Sequence, residues 1–306
     1  MNAPFPYFGG KSKIAPLIWQ RLGRVDQYIE PFAGSMAVLL AAPRRASLEV
    51  VGDASGFIAN FWRSVIHDHT AVARWADYPV SHVDLGARHG WLMARREALA
   101  EGLADPEWPG DAKVAGWWLW GQCCWIGRGW CEWSRNAGMG VQAIGQVPHV
   151  SDAGRGVQAI GQVPHVSGAG MGVQMWTSGG RTALARLGRL AARLERVRVI
   201  HGDWTRTLNH HYGKHMGHVG VFLDPPYDGF GSLYSDQAVA ADVGTWAREH
   251  GHLRVCLAGH AGDYEMPGWD AVAWSRPRNT YSGSATKDDE MLWFSPACPG
   301  GQAVLL

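Results

Sequence analysis

The chain has 306 residues, of which 46% are hydrophobic and 18% are charged. This composition excludes an intrinsically disordered chain, and the length favours about two domains. A net charge of +1 gives no global basic field to indicate a nucleic-acid partner. No run of about 18 apolar residues indicates a membrane span, and the five cysteines predict reduced thiols in a cytoplasmic protein that is not secreted.

The first 70 residues predict alternating helices and strands. Apolar residues at helical spacing predict a helix over 12–22. Tyr28 and Ile29 predict a strand that leads into a glycine turn, and Leu48 to Val51 predict a second strand ending at Gly52-Asp53. The apolar pattern from Phe57 to Ile66 then follows one face of another helix.

Residues 181–306 predict the same alternation. A helix face over 184–197 carries Leu184, Leu187, Leu190 and Leu194. Strands are predicted at 197–200, 218–223, 253–258, 272–274 and 291–294. Such alternation favours an α/β fold with a mostly parallel, doubly wound sheet, in which ligands bind at the carboxyl ends of the strands. Asp53, Asp203 and Asp224 all follow such ends.

The middle of the chain, 71–180, has a different composition. Six tryptophans lie between Trp117 and Trp133, and the twelve residues 140–151 are repeated at 156–167. We interpret the tryptophans as the core of an inserted segment, with base stacking as the alternative. The repeat indicates a duplicated surface loop. We therefore divide the chain into a first catalytic part (1–70), an inserted target-recognition segment (71–180) and a second catalytic part (181–306).

The most informative motif is Asp224-Pro225-Pro226-Tyr227, which follows an almost wholly apolar strand. Prolines carry no N–H donor, so this backbone offers carbonyl acceptors beside the carboxylate. Two acceptors suit an exocyclic amino group, and the Tyr227 ring offers a face for a planar base. The motif therefore predicts a pocket for an amino-bearing ring, with a rigid turn as the structural alternative.

Two further motifs, taken on their own, are weaker indications of a cofactor site. The glycine turn in Glu30-Pro31-Phe32-Ala33-Gly34 lets a nucleotide approach the backbone. A carboxylate at Asp53 can accept hydrogen bonds from ribose hydroxyls. It can equally cap the helix that begins near Ser55.

Together these motifs resemble, in order, those of the Dam-type (D12 class, α group) N6-adenine DNA methyltransferases. The resemblance rests on five short motifs and on a closing segment that runs from Ser275 to Phe294 and contains Asp289-Glu290-Met291-Leu292. The five are Tyr7-x-Gly9-Gly10-Lys11, Glu30-Pro31-Phe32-x-Gly34-Ser35, Gly52-Asp53, Gly202-Asp203 and Asp224-Pro225-Pro226-Tyr227.

The resemblance implies a Rossmann-like S-adenosylmethionine-dependent methyltransferase that acts on double-stranded DNA in a bacterial or virus-infected cell. It implies no metal and no membrane partner, and we expect a monomer. Its implied catalytic residues are Asp224, Pro225 and Tyr227. It places Asp203 and Tyr227 at the substrate adenine. The implied cofactor-binding residues are Tyr7, Lys11, Glu30, Phe32, Gly34, Asp53 and Asp224.

The chain also departs from that family. Met36 stands where a glycine is usual, and the middle segment does not resemble the family's recognition domain. Two alternatives therefore stay open: an amino-group methyltransferase acting on RNA or another substrate, and a DNA- or cofactor-binding module without turnover.

Overall fold

The computed structural model describes residues 1–5, 10–78, 81–124, 130–131, 183–208, 217–226, 236–275 and 289–299. Tyr7, Tyr227, most of the closing segment and the repeat of the middle segment lie outside these residues.

Within the described residues, seven strands form one sheet. They are β1 (Gln27–Glu30), β2 (Leu48–Asp53), β3 (Val197–His201), β4 (Val219–Leu223), β5 (Arg254–His260), β6 (Asp270–Ser275) and β7 (Asp289–Phe294). The helices are α1 (Ala15–Leu22), α2 (Ala37–Leu40), α3 (Gly56–Ala76), α4 (His82–Met93), α5 (Arg96–Ala104), α6 (Ala112–Cys124), α7 (Ala183–Leu194), α8 (Trp204–Leu208) and α9 (Asp236–Glu249). The predicted α/β class is confirmed.

The strand order is β3-β2-β1-β4-β5-β7-β6. The first five strands in this order are parallel to one another. Strand β7 lies between β5 and β6 and is antiparallel to both. All residues of β1 and β4 are buried, as expected for central strands covered on both faces. The chain order reverses between β1 and β4, which is the position where open parallel sheets bind ligands.

The chain divides into two compact units. Unit 1 comprises Met1–Ala3, Gly9–Asp53 and Arg196–Leu306, and unit 2 comprises Pro4–Phe8 and Ala54–Glu195. Unit 1 contains the whole sheet and a core built from β1, β2, β4, β5, β7, α8 and α9. In this core, Gly52 is required for close packing, because a Cβ there would lie 2.0 Å from Thr207 Oγ1 of α8.

Unit 2 is helical among its described residues and has an aromatic core. In it α3 packs against α6 and α7. Five contacts join the rings of Phe5, Phe61, Trp62 and Trp118, with centroids 4.8 to 5.9 Å apart. Trp118, Trp120 and Trp130 are all buried. This agrees with the interpretation of the tryptophan cluster as core.

The unit boundaries differ from the divisions at 70 and 180 expected from sequence. Helix α3 continues past Ile66 to Ala76 with a kink at Asp68, whose Oδ1 accepts the Ala71 N–H (2.9 Å) and so restarts the helix. Because α3 packs with both α6 and α7, all three helices belong to unit 2. The predicted apolar face of α7 needs one correction, since Leu184 is exposed whereas Leu187, Leu190 and Leu194 are buried.

A membrane-spanning helix is absent from the described parts of the chain, where every helix is too short or too polar to cross a bilayer.

Candidate active site

Several polar side chains of unit 1 lie along the edge of the sheet where the parallel strands end. Glu30 ends β1 and Asp53 ends β2, while Asp224 directly follows β4. Because β1 lies between β2 and β4, these ends are neighbours. The Gly34 turn and Asp224 therefore flank the place where the strand order reverses.

The turn after β1 is tied to the end of β2. The Gly34 N–H donates to Asp53 Oδ2 (2.9 Å), and the Ala33 N–H donates to the Gly52 carbonyl (2.8 Å). Gly34 has a φ of +45°, a conformation that favours glycine. The structure thus brings together two residues that the sequence predicted at the cofactor, and it fixes the orientation of the Asp53 carboxylate.

Met36 occupies the left-handed region with φ +52° and ψ +32° at the start of α2. Its side chain is fully buried. Such a conformation costs a residue with a Cβ roughly 1 kcal/mol. The family's usual glycine would adopt it without strain, so the departure noted in the sequence carries a backbone cost, balanced by the burial of the methionine side chain.

Glu30 is placed inside the protein instead of at its surface. Its Oε2 accepts hydrogen bonds from the Tyr28 hydroxyl (2.9 Å) and from the Leu39 N–H of α2 (3.2 Å). Burial raises the pKa of the Glu30 carboxyl to about 8, although both hydrogen bonds oppose the shift. At neutral pH the group is mostly protonated. Its visible contacts hold α2 against β1, and direct cofactor binding by Glu30 stays a prediction.

Lys11 and Asp224 form a buried ion pair. Lys11 Nζ lies 2.9 Å from both Asp224 carboxylate oxygens, although 213 positions separate the residues. The Lys11 side chain is only 2% exposed and that of Asp224 is 17% exposed. The Lys11 carbonyl accepts the Ile14 and Ala15 N–H groups at the start of α1, so the backbone of the lysine is fixed as well.

A second carboxylate faces the same ammonium. Glu290 on β7 places Oε2 3.7 Å from Lys11 Nζ, and its side chain is 8% exposed. The sequence suggested this residue only as part of the closing segment. Its proximity to Lys11 follows from β7 inserting next to β5, where Glu290 is the ladder partner of His260.

An aromatic pair adjoins the turn. The Phe32 and Trp204 rings stack with centroids 6.2 Å apart and planes 23° from parallel. Trp204 is buried and Phe32 is partly exposed, so Phe32 can offer part of its face to a planar group. Sequence reasoning missed Trp204, although an aromatic residue directly after Gly202-Asp203 was a usable signal.

Asp203 is not placed beside Asp224. It follows β3, three strands from β4 in the sheet order, and three strand spacings amount to about 14 Å. Its Oδ1 accepts the Thr205 N–H (3.0 Å), and its carbonyl accepts the Arg206 N–H, so it caps the short helix α8. Its assignment to the substrate adenine stays a prediction that the strand order does not favour.

The residues at this edge suit a charged nucleoside cofactor. No cluster of three or more His, Cys, Asp or Glu side chains that could hold a metal occurs within the described ranges. The ordered turn at Gly34, the Asp53 carboxylate and the partly exposed Phe32 ring supply contacts for backbone, ribose and base. These residues fit S-adenosylmethionine.

The mixed α/β fold, with its seven-stranded and mostly parallel sheet, is consistent with a methyltransferase. Comparison with protein families supports that class: residues 7–82 match the family model described as D12 class N6 adenine-specific DNA methyltransferase. This family implies S-adenosylmethionine-dependent methylation of adenine in DNA. The match includes Lys11, Gly34 and Asp53 and ends before Asp224. No curated protein matches the chain.

Proposed function

We propose that this protein transfers a methyl group from S-adenosylmethionine to N6 of an adenine flipped out of double-stranded DNA. The observation that carries the proposal is the buried Lys11–Asp224 pair, which lies at the carboxyl end of β4, one strand away from the Gly34–Asp53 contact. One sheet edge thus carries a nucleoside-type cofactor site and an acceptor suited to an amino group.

The cofactor half of the site comprises Phe32, Gly34 and Asp53, with Tyr7 added by the sequence resemblance. The Asp53 carboxylate, oriented by the Gly34 N–H, accepts hydrogen bonds from the ribose hydroxyls. The Phe32 ring packs against the base. When bound, S-adenosylmethionine supplies an electrophilic methyl group on a sulfonium centre.

The substrate half comprises Asp224 and the Pro225 carbonyl. Both accept hydrogen bonds from the N6 amino group, which turns the nitrogen lone pair toward the methyl group. The N6 lone pair would form the bond to the methyl carbon as the carbon–sulfur bond breaks and leaves its electron pair on sulfur. The N6 nitrogen gains positive charge in this step, and one of its protons then leaves to water. The negative charge of Asp224 stabilises that developing charge. Lys11 holds the carboxylate in place through both oxygens.

A base within a duplex cannot reach such a pocket without leaving the stack. Tyr227, by sequence next to the Pro225-Pro226 pair, is the ring we assign to stack on the flipped adenine. Flipping requires one protein per target base, which agrees with a monomer.

The test is an assay with labelled S-adenosylmethionine and mixed-sequence duplex DNA, followed by digestion to nucleosides. We expect N6-methyldeoxyadenosine as product. Asp224→Ala should lose the product while still binding S-adenosylmethionine, and the matched variant Asp242→Ala, at an exposed position of α9, should retain wild-type activity.

Absence of N6-methyldeoxyadenosine would overturn the proposal. Product formed only with RNA would favour the alternative substrate. Binding of cofactor and DNA without any methylated nucleoside would identify a module without turnover.

A further inference from the structure

Three tryptophans of unit 2 differ from its buried core because they keep part of their surface in water. This exposed tryptophan group consists of Trp75 on α3, Trp91 on α4 and Trp117 on α6. The Trp117 ring contacts both of the others, with centroids 6.2 Å from Trp75 and 4.7 Å from Trp91. Core packing accounts for the buried tryptophans of the unit, but it assigns no task to this second group.

Two partly exposed cations accompany the exposed tryptophan group. The Nζ of Lys113 lies 4.6 to 5.0 Å from all three ring centroids, and the guanidinium carbon of Arg95 lies 3.4 Å from that of Trp91. Neither cation forms an ion pair with any residue in the described ranges. Asp111, the acid nearest to Lys113 in sequence, caps α6 through Oδ1, which accepts the Lys113 N–H (2.8 Å). Both charges are therefore available to a partner.

A third cation, Arg88, is buried beside Trp117. Its guanidinium carbon lies 4.9 Å from the ring centroid, and burial lowers its pKa, with the nearby Asp84 opposing part of the shift. Arg88 Nη1 and Trp117 Nε1 are buried donors that no acceptor within the described parts of the chain satisfies. Unsatisfied donors and neighbouring like charges both work against folding. The fold thus keeps a positively charged cluster that costs stability in the free protein.

The chemistry of this surface fits a polyanion. Accessible lysine and arginine side chains bind phosphates and release the counterions condensed on them. Aromatic rings beside such cations hold their stems in place and can pack against sugars and bases. Residues 7–82, which include Trp75, match a family of DNA methyltransferases, so duplex DNA is favoured over RNA or an anionic membrane.

We propose that Lys113 and Arg95, held by the exposed tryptophan group, contact the phosphate backbone of duplex DNA. This inference rests on the proposed function for the identity of the partner. Phosphate contacts carry no sequence information, so this surface contributes affinity and orientation and leaves the choice of target to other residues. Neither side chain has a role in the proposed chemical step, so the rate at saturating DNA does not depend on them.

The experiment measures the Kd of the full-length protein for a fluorescent mixed-sequence duplex, by anisotropy, over a range of salt concentrations. Lys113→Met, Arg95→Met and the double variant remove charge and keep apolar contact, whereas Lys113→Arg keeps the charge. Arg44→Met, at an exposed position in the loop before β2 of unit 1, removes the same charge elsewhere and is the control. Melting temperatures report on folding, and kcat is measured at saturating DNA.

Each single methionine variant at Lys113 or Arg95 should lower the slope of log Kd against log salt by about 0.9 and raise Kd about fivefold at 0.15 M salt. The double variant should lower the slope by about 1.8 and raise Kd about 25-fold. Lys113→Arg and Arg44→Met should keep the wild-type slope, and kcat should stay within about twofold in every variant. A purely structural role predicts lower melting temperatures with an unchanged slope.

An unchanged slope in the double variant, or an equal loss of slope in Arg44→Met, would overturn this inference. Unaffected duplex binding with loss of binding to single-stranded RNA or to anionic vesicles would overturn it as well, because the partner would then belong to another class. Binding is measured without turnover. A protein that binds duplex DNA through these residues and makes no N6-methyldeoxyadenosine would therefore support this inference and overturn the proposed function.

Discussion

The two units stabilise positively charged side chains in different ways. In unit 1, the Lys11 ammonium lies against the carboxylates of Asp224 and Glu290. In unit 2, Lys113 Nζ lies 4.6 to 5.0 Å from the ring centroids of Trp75, Trp91 and Trp117. The first arrangement groups ionised atoms in a low dielectric, where they can act on a reacting group. The second arrangement stabilises a cation by cation–π contacts with aromatic rings.

Arg88 extends the contrast within unit 2. Its guanidinium lies over the rings of Tyr78, Trp117 and Trp120 at 4.3 to 4.9 Å, and burial lowers its pKa. Cation–π contacts of this kind contribute about 0.5 to 2 kcal/mol each. The comparison teaches that buried charge by itself does not mark the site. The carboxylates of Asp224 and Glu290 distinguish Lys11 from Arg88, which lies among ring faces.

The largest expected difference is between Lys11→Met and Lys113→Met. Removing Lys11 takes its ammonium away from two mostly buried carboxylates, which should lower the free energy of unfolding by about 3 to 5 kcal/mol. Lys113 has no ion pair with any residue that the structure describes, and methionine keeps most of the apolar contact, so the cost should be about 1 kcal/mol. Urea denaturation of both variants measures their free energies of unfolding. Equal losses of stability would contradict the contrast between the ion pair of unit 1 and the aromatic contacts of unit 2.

The second prediction concerns Glu30, a buried acid whose carboxyl accepts hydrogen bonds from Tyr28 and Leu39. The pKa of Glu30 is raised by burial from 4.5 to about 8, so between these values the folded state holds a proton that the unfolded chain has lost. The free energy of unfolding should therefore fall as pH rises from about 4.5 to about 8, by a few kcal/mol in total. Below this window the contribution is fully present.

Glu30→Gln keeps the shape of the side chain and removes the titration. The variant should gain stability relative to wild type as pH rises through the same window. Urea denaturation at pH 5 and pH 8 measures the change. A difference between variant and wild type that is the same at both pH values would show that Glu30 is ionised in the folded protein, as a cofactor-facing carboxylate would be.

The smallest expected effect concerns the backbone at the site. Met36 has a φ of +52° and a fully buried side chain. Both Met36→Ala and Met36→Gly lose the buried side chain, but only glycine relieves the left-handed strain. Met36→Gly should therefore be more stable than Met36→Ala by about 1 kcal/mol, the reverse of the usual order in regular structure. Thermal or urea unfolding of the two variants gives the sign, and alanine proving the more stable would contradict the conformation.

The sequence was informative where local pattern decides the structure. The apolar run before Asp224 predicted β4. The sequence also assigned Gly34 and Asp53 to one cofactor site, and the structure joins these two residues by a hydrogen bond of 2.9 Å. Periodicity placed Leu187 and Leu190 correctly but misplaced Leu184, because the limits of a helix face depend on what packs against it.

Other features depend on the path of the whole chain. Lys11 meets Asp224 across 213 positions, and Glu290 joins them because β7 inserts antiparallel next to β5. Neither contact follows from spacing. Glu30 belongs to a motif that resembles a cofactor loop, yet burial and its bonds to Tyr28 and Leu39 turn it inward. Packing in three dimensions decides such cases.

Methylation-sensitive long-read sequencing of DNA from cells that express the protein would test the proposed activity most directly. We predict N6-methyladenine at a recurring sequence motif in cells with the wild-type protein, and none at that motif in cells with Asp224→Ala. Unmodified adenine throughout the DNA of wild-type expressing cells, with folded protein present, would contradict the assignment of Asp224 and its buried lysine to adenine methylation.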